Sequence, residues 1–167
     1  MFQNVVVFTC LILAASVLAY DINTAFERIL LTDYDLRSCC NDPFLKNETW
    51  IRLKYYRGQC ENQFPSDKNC AIFCIITKFK EYDTIFGFHE DVILRLIGSK
   101  GLATNGTRND WKIPIADRIV RHCLNLVDIK PHDDTLICNP DISVMGNCYW
   151  DKMLEACPDH LKNVDNC

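Results

Sequence analysis

The residues with the most chemistry in this 167-residue chain are its eleven cysteines. Ten of them follow residue 19, and three spacings stand out: Cys70-x3-Cys74, Cys138-x9-Cys148 and Cys148-x8-Cys157. Cysteine thiolates either bind metals or pair as disulfides, and a structural zinc site usually contains a CxxC pair. Because the chain has no such pair, the pattern predicts a disulfide framework, no metal and no cofactor.

The first residues indicate an oxidising compartment. An uncharged apolar run covers residues 5–19 and ends in Val17-Leu18-Ala19. This small-residue ending predicts a signal peptide, 1–19, cleaved before Tyr20. The run is shorter than the ~20 residues of a membrane span, and the alternative is a buried N-terminal helix. We therefore predict a secreted, extracellular protein, and the sequons at Asn47 and Asn105 are predicted glycosylation sites.

Removal of residues 1–19 leaves 167 − 19 = 148 residues, 20–167, which suit a single domain. Apolar residues recur there with the helical period. Ser66 and Asp67 resemble the cap of one helix, and Asn147 resembles the cap of another. The segment Glu48–Gly58 is compatible with strand or helix, and helix is favoured. Loops are predicted over 99–109 and 130–146. The helical segments are Tyr20–Leu31, Ser66–Tyr82, His89–Ile97, Ile115–Val127 and Tyr149–Cys157.

Helix geometry limits which cysteines can pair. On one helix, Cys70 and Cys74 would have Cβ atoms about 5–6 Å apart, too far for a disulfide, which needs about 3.5–4.5 Å. Cys148 and Cys157 bracket a helical segment and would lie about 13 Å apart. A bond within the Cys39-Cys40 doublet would be strained. Each of these cysteines must therefore bridge to another element, which predicts a compact, stapled all-α fold.

The order of these spacings resembles that of the insect odorant-binding proteins, in which a helix-borne Cys-x3-Cys is followed by Cys-x8-Cys. The Cys138-x9-Cys148 step, the Cys157-Pro158 pair and the trailing Cys167 resemble the Plus-C subgroup. The resemblance implies a compact disulfide-stapled bundle of about six or more helices around a hydrophobic cavity. It also implies a secreted, soluble carrier of odorants, pheromones or lipids.

The resemblance further implies a disulfide pattern. In that family the first cysteine joins the third, the second joins the fifth, and the fourth joins the sixth. On this chain that gives Cys39 or Cys40 with Cys74, Cys70 with Cys148, and Cys123 with Cys157. The remaining cysteines would then pair as Cys138 with Cys167, and the other doublet member with Cys60.

A carrier needs an apolar pocket that binds a small hydrophobic ligand. Each candidate lining residue could instead belong to an ordinary packed core. If all of them do, the chain is a secreted structural or interaction protein with a filled core. A membrane receptor and a second copy of the chain are the further candidate partners. The candidate ligand-binding residues are Phe73, Ile76, Phe79, Phe88, Leu96, Ile97, Trp111, Ile119, Val120, Tyr149, Trp150 and Met153.

Other function classes find little support in the sequence. The net charge is −4 and no basic patch carries interleaved aromatics, which excludes a nucleic-acid partner. No catalytic residue is predicted, since a phospholipase-like doublet would need a histidine where Asn41 follows. The histidines His89, His122, His132 and His160 are scattered. If partly buried beside Cys123, His122 is the candidate for pH-dependent release; the alternative is a solvated side chain.

Overall fold

The computed structural model describes residues 24–32, 39–83, 87–104, 110–127 and 138–163. The predicted signal peptide, Asn105, His132 and Cys167 lie outside these ranges. Within them the chain forms six α-helices, which confirms the predicted all-α class: α1 Ala25–Leu31, α2 Asn47–Gln63, α3 Lys68–Phe79, α4 Glu90–Ile97, α5 Ile113–Leu124 and α6 Asp141–Glu155. None of these helices combines the length and apolarity needed to cross a membrane.

Short connections complete the described chain. Strands β1 Tyr82–Asp83 and β2 Gly87–Phe88 form an antiparallel ribbon between α3 and α4. A 3₁₀ turn, Asp159–Leu161, follows α6. The last described residues return to the Cys39-Cys40 doublet, where Asn163 N–H donates to Cys39 O at 2.9 Å.

Local sequence explains where several helices begin. The Thr24 side chain accepts from Glu27 N–H at 3.2 Å, and the Asp67 side chain accepts from Cys70 N–H at 3.0 Å, so each oxygen satisfies a first-turn donor. The α2 helix confirms the favoured assignment of residues 48–58. Pro114 lies in the first turn of α5, where its missing N–H costs nothing.

Several predicted helix boundaries are wrong; α5, for example, ends at Leu124 instead of Val127. The α3 helix ends at Phe79 instead of Tyr82, because Lys80 adopts a left-handed conformation with φ 63°. The α6 helix begins at Asp141, so residues 141–146 are helical and Asn147 lies inside the helix instead of capping it. The N-cap residue is Pro140, and the side chain of Asn139 before it accepts from Asp141 N–H at 2.9 Å, which satisfies one first-turn donor.

The core forms around α3 and α6. The α3 helix packs against α1, α2 and α6, and α6 packs in addition against α1 and α5. Close approach of α1 to α6 depends on Gly146, since a Cβ atom there would clash with the Phe26 ring. Tyr149 and Met153 are fully buried on the same helix, and the Tyr149 hydroxyl donates to Ile97 O.

The disulfides confirm the geometric exclusions and overturn the pairings that the resemblance implies. No bond joins Cys70 to Cys74 or Cys148 to Cys157. Cys39 is disulfide-bonded as well, and Cys167 lies outside the described residues. The pairings of Cys74 with the doublet, Cys70 with Cys148, Cys123 with Cys157, Cys138 with Cys167 and Cys60 with the doublet are wrong. The observed bonds are Cys40–Cys157, Cys60–Cys74, Cys70–Cys138 and Cys123–Cys148.

Helix packing explains the observed partners. Cys60 and Cys74 lie on α2 and α3, two helices joined by a short turn and packed together, with Cα atoms 5.7 Å apart. Cys123 and Cys148 likewise face each other across α5 and α6, at 5.6 Å. Each thiol therefore bonds to the neighbouring packed helix, and adjacency in space decides the pairing.

Gly146 provides a test of the α1–α6 contact. Replacement Gly146→Ala should lower the free energy of unfolding by about 1–2 kcal/mol, because overpacking costs about 1–3 kcal/mol and the gain in helix propensity is about 1 kcal/mol. The matched control is Gly58→Ala in α2, where a Cβ atom meets nothing within 4 Å, and which should stabilise by about 0.5–1 kcal/mol. Denaturant unfolding measures both, and equal effects of the two variants would contradict the close contact.

Candidate functional site

An apolar pocket of about 50 Å³ lies where α1, α2, α3, α4 and α6 converge. Its wall is aliphatic and aromatic except for one hydroxyl and one carboxyl group. The lining residues are Phe26, Ile29, Leu30, Leu45, Thr49, Leu53, Ile76, Phe79, Glu81, Leu96, Ile97 and Trp150.

Five of the twelve predicted ligand-binding residues line this pocket: Ile76, Phe79, Leu96, Ile97 and Trp150. Ligand contact by any of the twelve stays a prediction. The remaining seven lie elsewhere in the fold: Val120, Tyr149 and Met153 are fully buried core residues, Phe88 is buried near β2, Phe73 and Trp111 are half-buried, and Ile119 lies between α5 and α6.

The pocket has a buried floor and a partly open side. Phe26, Leu30 and Trp150 are buried, as are the α2 and α3 residues Leu53 and Ile76. On the open side the lining residues are half-buried, namely Leu45, Thr49, Glu81, Leu96 and Ile97. Solvent therefore reaches the pocket between α4 and the start of α2, which is the side through which a small molecule would enter.

The two polar groups of the pocket escaped the sequence analysis. Thr49 belongs to the Asn47 sequon, and Asn47 itself is exposed at the first position of α2. Glu81 follows a helix of strongly apolar character, and nothing in its immediate sequence marks it. Glu81 reaches the pocket because the chain turns at Lys80, and the left-handed conformation of a lysine cannot be recognised from the sequence.

Backbone hydrogen bonds hold Glu81 on both sides. Its N–H donates to Ile76 O at 3.2 Å, the bond that closes a helix end after a left-handed residue. Its carbonyl accepts from His89 N–H at 2.7 Å, at the edge of the β1–β2 ribbon. A non-glycine residue in the left-handed region, Lys80, costs about 1–2 kcal/mol, and this strain places Glu81 at the pocket wall.

The Glu81 carboxyl group has an unusual environment. Burial raises its pKa from the ordinary 4.5 to about 7, and no neighbouring charge contributes to the rise. Among the described residues this carboxyl makes no hydrogen bond and no ion pair. The pocket thus combines an apolar wall with one unpartnered acid, an arrangement suited to orienting a small apolar ligand that carries one polar group.

A second buried polar cluster surrounds Lys112, and it too was missed. The Lys112 Nζ atom is fully buried, 2.8 Å from Asp42 Oδ2 and 3.2 Å from Asp110 Oδ1. Trp111 Nε1 donates to Asp42 Oδ2 at 2.9 Å, and the Phe44 ring lies 5.9 Å from Nζ. This cluster ties the segment after the cysteine doublet to the start of α5, so we assign it a structural function.

A third feature is an open groove of about 530 Å³ between α5 and α6, lined by both apolar and charged residues. His122 lies in this groove and is exposed, so the premise of partial burial beside Cys123 is wrong and the solvated alternative holds. Lys152 and Glu155 on the opposite wall pair with each other at 3.0 Å.

Comparison with known proteins adds no assignment: no protein-family model, no curated protein and no solved structure matches the chain. Within the described ranges, no group of three or more His, Cys, Asp or Glu residues is arranged to hold a metal ion. The functional argument therefore depends on the geometry of the pocket.

Removal of the buried cation tests the structural function of the second cluster. Lys112→Met should lower the free energy of unfolding by about 3–5 kcal/mol, because Asp42 and Asp110 would be left buried without their cation. The control is Lys152→Met, which breaks an exposed pair and should cost less than about 1 kcal/mol. A loss below about 1 kcal/mol for Lys112→Met, measured by denaturant unfolding, would contradict this function.

The raised pKa of Glu81 predicts how the free energy of unfolding depends on pH. Between pH 4.5 and about 7 the folded chain keeps a proton on Glu81 that the unfolded chain has lost, so rising pH favours unfolding. Relative to Glu81→Gln, the parent should lose stability across this window, by on the order of 3 kcal/mol at most. The exposed Glu155→Gln control should follow the parent curve, and a parent curve parallel to that of Glu81→Gln would refute the raised pKa.

Proposed function

We propose that this chain is a secreted, soluble, non-enzymatic carrier of small hydrophobic ligands such as odorants, pheromones or lipids, related to the Plus-C odorant-binding proteins. The observation that carries the proposal is the apolar pocket at the convergence of five helices, with a carboxyl group in its wall that has no partner among the described residues. The disulfide-rich helical fold and the uncharged apolar run at residues 5–19 support it. The proposal does not depend on the pairing pattern, which differs from the one the resemblance implies.

Binding energy would come mainly from apolar burial. A ligand that loses about 300 Å² of apolar surface gains about 7.5 kcal/mol at 25 cal/mol per Å², before the cost of association. Without that cost the gain would correspond to a Kd of a few micromolar, and the cost of association makes the net affinity weaker. A polar contact at the pocket wall would orient the ligand and add selectivity to the nonspecific free energy of apolar burial.

Ligand entry must enlarge the pocket. Its volume of about 50 Å³ exceeds that of one water molecule, about 30 Å³, but falls well below the about 300 Å³ of a small-molecule site. The half-buried residues Leu45, Leu96 and Ile97 lie on the open side, whereas the opposite floor is held by α3 and α6. We therefore expect binding to displace α4 side chains outwards while the disulfide-bonded helices stay in place.

The small volume also favours a second candidate function. A secreted structural or interaction protein needs no ligand cavity, and its core would be filled as this one nearly is. Ile51 and Tyr55 are 60% and 64% exposed one turn apart on α2, which gives such a protein an apolar contact surface. The two candidates differ in one measurable property, the binding of a small apolar molecule.

Displacement of a fluorescent apolar probe from the folded, oxidised protein tests the carrier function. The parent should bind the probe with a Kd between micromolar and millimolar, and Leu96→Trp, which fills the open side, should weaken binding at least tenfold. Leu126→Trp is the matched control, because Leu126 is 57% exposed and outside the pocket, and its affinity should stay within about twofold of the parent.

Two results would count against the carrier. Probe binding weaker than millimolar in the parent would favour the second candidate function. Equal binding by the parent and both tryptophan variants would show that the probe occupies another surface.

A further inference from the structure

We propose that Glu81 is the polar anchor of the pocket and donates a hydrogen bond to an oxygen acceptor on the ligand, so that the preferred ligands are small apolar ketones, aldehydes or esters. This inference rests on the proposed carrier function and specifies the chemical class of its ligand. It excludes plain hydrocarbons and amines as preferred ligands.

The first support is the fixed position of Glu81. Hydrogen bonds to Ile76 O and from His89 N–H hold its backbone, and the left-handed Lys80 turns the chain back towards the pocket immediately before it. An anchor must be held in place before the ligand arrives, because ordering it on binding would cost affinity. Here the helix end and the β-ribbon provide that order.

The second support is the absence of a competing partner. The carboxyl forms no hydrogen bond or ion pair with any described residue, and the Thr49 hydroxyl is the only other polar side chain in the pocket lining. No charged side chain besides Glu81 is among the lining residues. The charged or titratable groups on the surrounding elements include Glu27 on α1, Arg52 on α2, Lys80 after α3, His89 before α4, Arg95 on α4 and Asp151 on α6.

Several of these groups are engaged elsewhere. Glu27 pairs with Lys68 at 3.0 Å, and Arg95 pairs with Asp91 at 2.8 Å. The Arg52 guanidinium lies over the Phe79 ring, 5.1 Å from its centre. Burial without charge compensation is therefore what raises the pKa of Glu81 to about 7.

The protonation state decides the ligand class. In an apolar pocket without a cation, a carboxyl group near neutral pH keeps its proton and acts as a hydrogen-bond donor. A carbonyl oxygen on the ligand satisfies this donor, whereas a hydrocarbon leaves it unpaired and buried. An amine would require ionised partners in the same apolar surroundings, where desolvation offsets their attraction.

The donor also gives the pocket a pH dependence. Protonated Glu81 binds the ligand oxygen, so carbonyl ligands should bind best below pH 7. As the pH rises through about 7, the carboxyl ionises and becomes an acceptor only. Affinity for a carbonyl ligand should then fall, by up to tenfold for each further pH unit, while hydrocarbon affinity should not follow this curve.

The experiment measures the affinity of the folded, oxidised chain for 2-nonanone, nonane and nonylamine by probe displacement at pH 5.5 and pH 8.5. We expect the parent to prefer 2-nonanone over nonane at least tenfold at pH 5.5, and to lose that preference at pH 8.5. Glu81→Gln, whose amide still donates, should keep the preference at both values. Glu81→Leu should bind the two equally, and the exposed Glu155→Gln control should behave like the parent.

The outcomes separate the anchor from the carrier. If none of the three compounds binds, the carrier function and the anchor both fail. If 2-nonanone and nonane bind the parent equally at pH 5.5, or Glu81→Leu keeps the ketone preference, the carrier survives and the anchor is refuted. Preference for nonylamine over 2-nonanone at pH 5.5 would likewise overturn the donor. Should Glu81→Leu fail to fold, the parent's ketone-to-alkane ratio at the two pH values decides the question.

Discussion

The structure depends on two disulfides that leave adjacent turns of α3 in different directions. Cys74 bonds to Cys60 on α2, and Cys70 bonds to Cys138 just before α6, across separations of 14 and 68 residues. Closing loops of these sizes restricts the unfolded chain, with a stabilising effect of roughly 3–4 kcal/mol each in the chain-entropy account. Because α3 is apolar around most of its circumference, its side chains are shielded from water only if the helix lies at the centre of the fold. The two bonds hold it there, and α2 and α6 pack around it.

The candidate pocket uses the same helix. Ile76 and Phe79 of α3 form part of its floor, and the turn that ends α3 brings Glu81 to its wall. The floor is thus rigid through the disulfides, while the opposite side consists of half-buried residues from the short α4. This asymmetry gives the pocket one fixed wall and one wall that can move. A carrier needs both features, since a ligand must be oriented and must also be able to enter and leave.

The Lys112 cluster and Glu81, two of the polar sites among the described residues, differ in one respect that bears on function. Lys112 and Asp42 are charged, fully buried and paired with each other, so their interaction compensates for their desolvation. The half-buried Glu81 makes no hydrogen bond or ion pair with a described residue, and desolvation raises its pKa. Removing one partner of a buried charge pair destabilises a fold, whereas a polar group buried without a partner costs stability that a ligand can restore. The unpaired group is accordingly the one we assign to binding.

The sequence by itself determined the helical class, because apolar residues at the helical period must share a buried face. It also determined that Cys70 cannot bond to Cys74, because the rise of a helix keeps their Cβ atoms too far apart. Only the tertiary structure decided which thiols pair, since that follows from which helices pack together. The same holds for the pocket: local periodicity marks Ile76 and Trp150 as buried, but not as neighbours. The environment of Glu81 was likewise beyond local pattern, because the pocket it lines is formed by apolar residues from five helices.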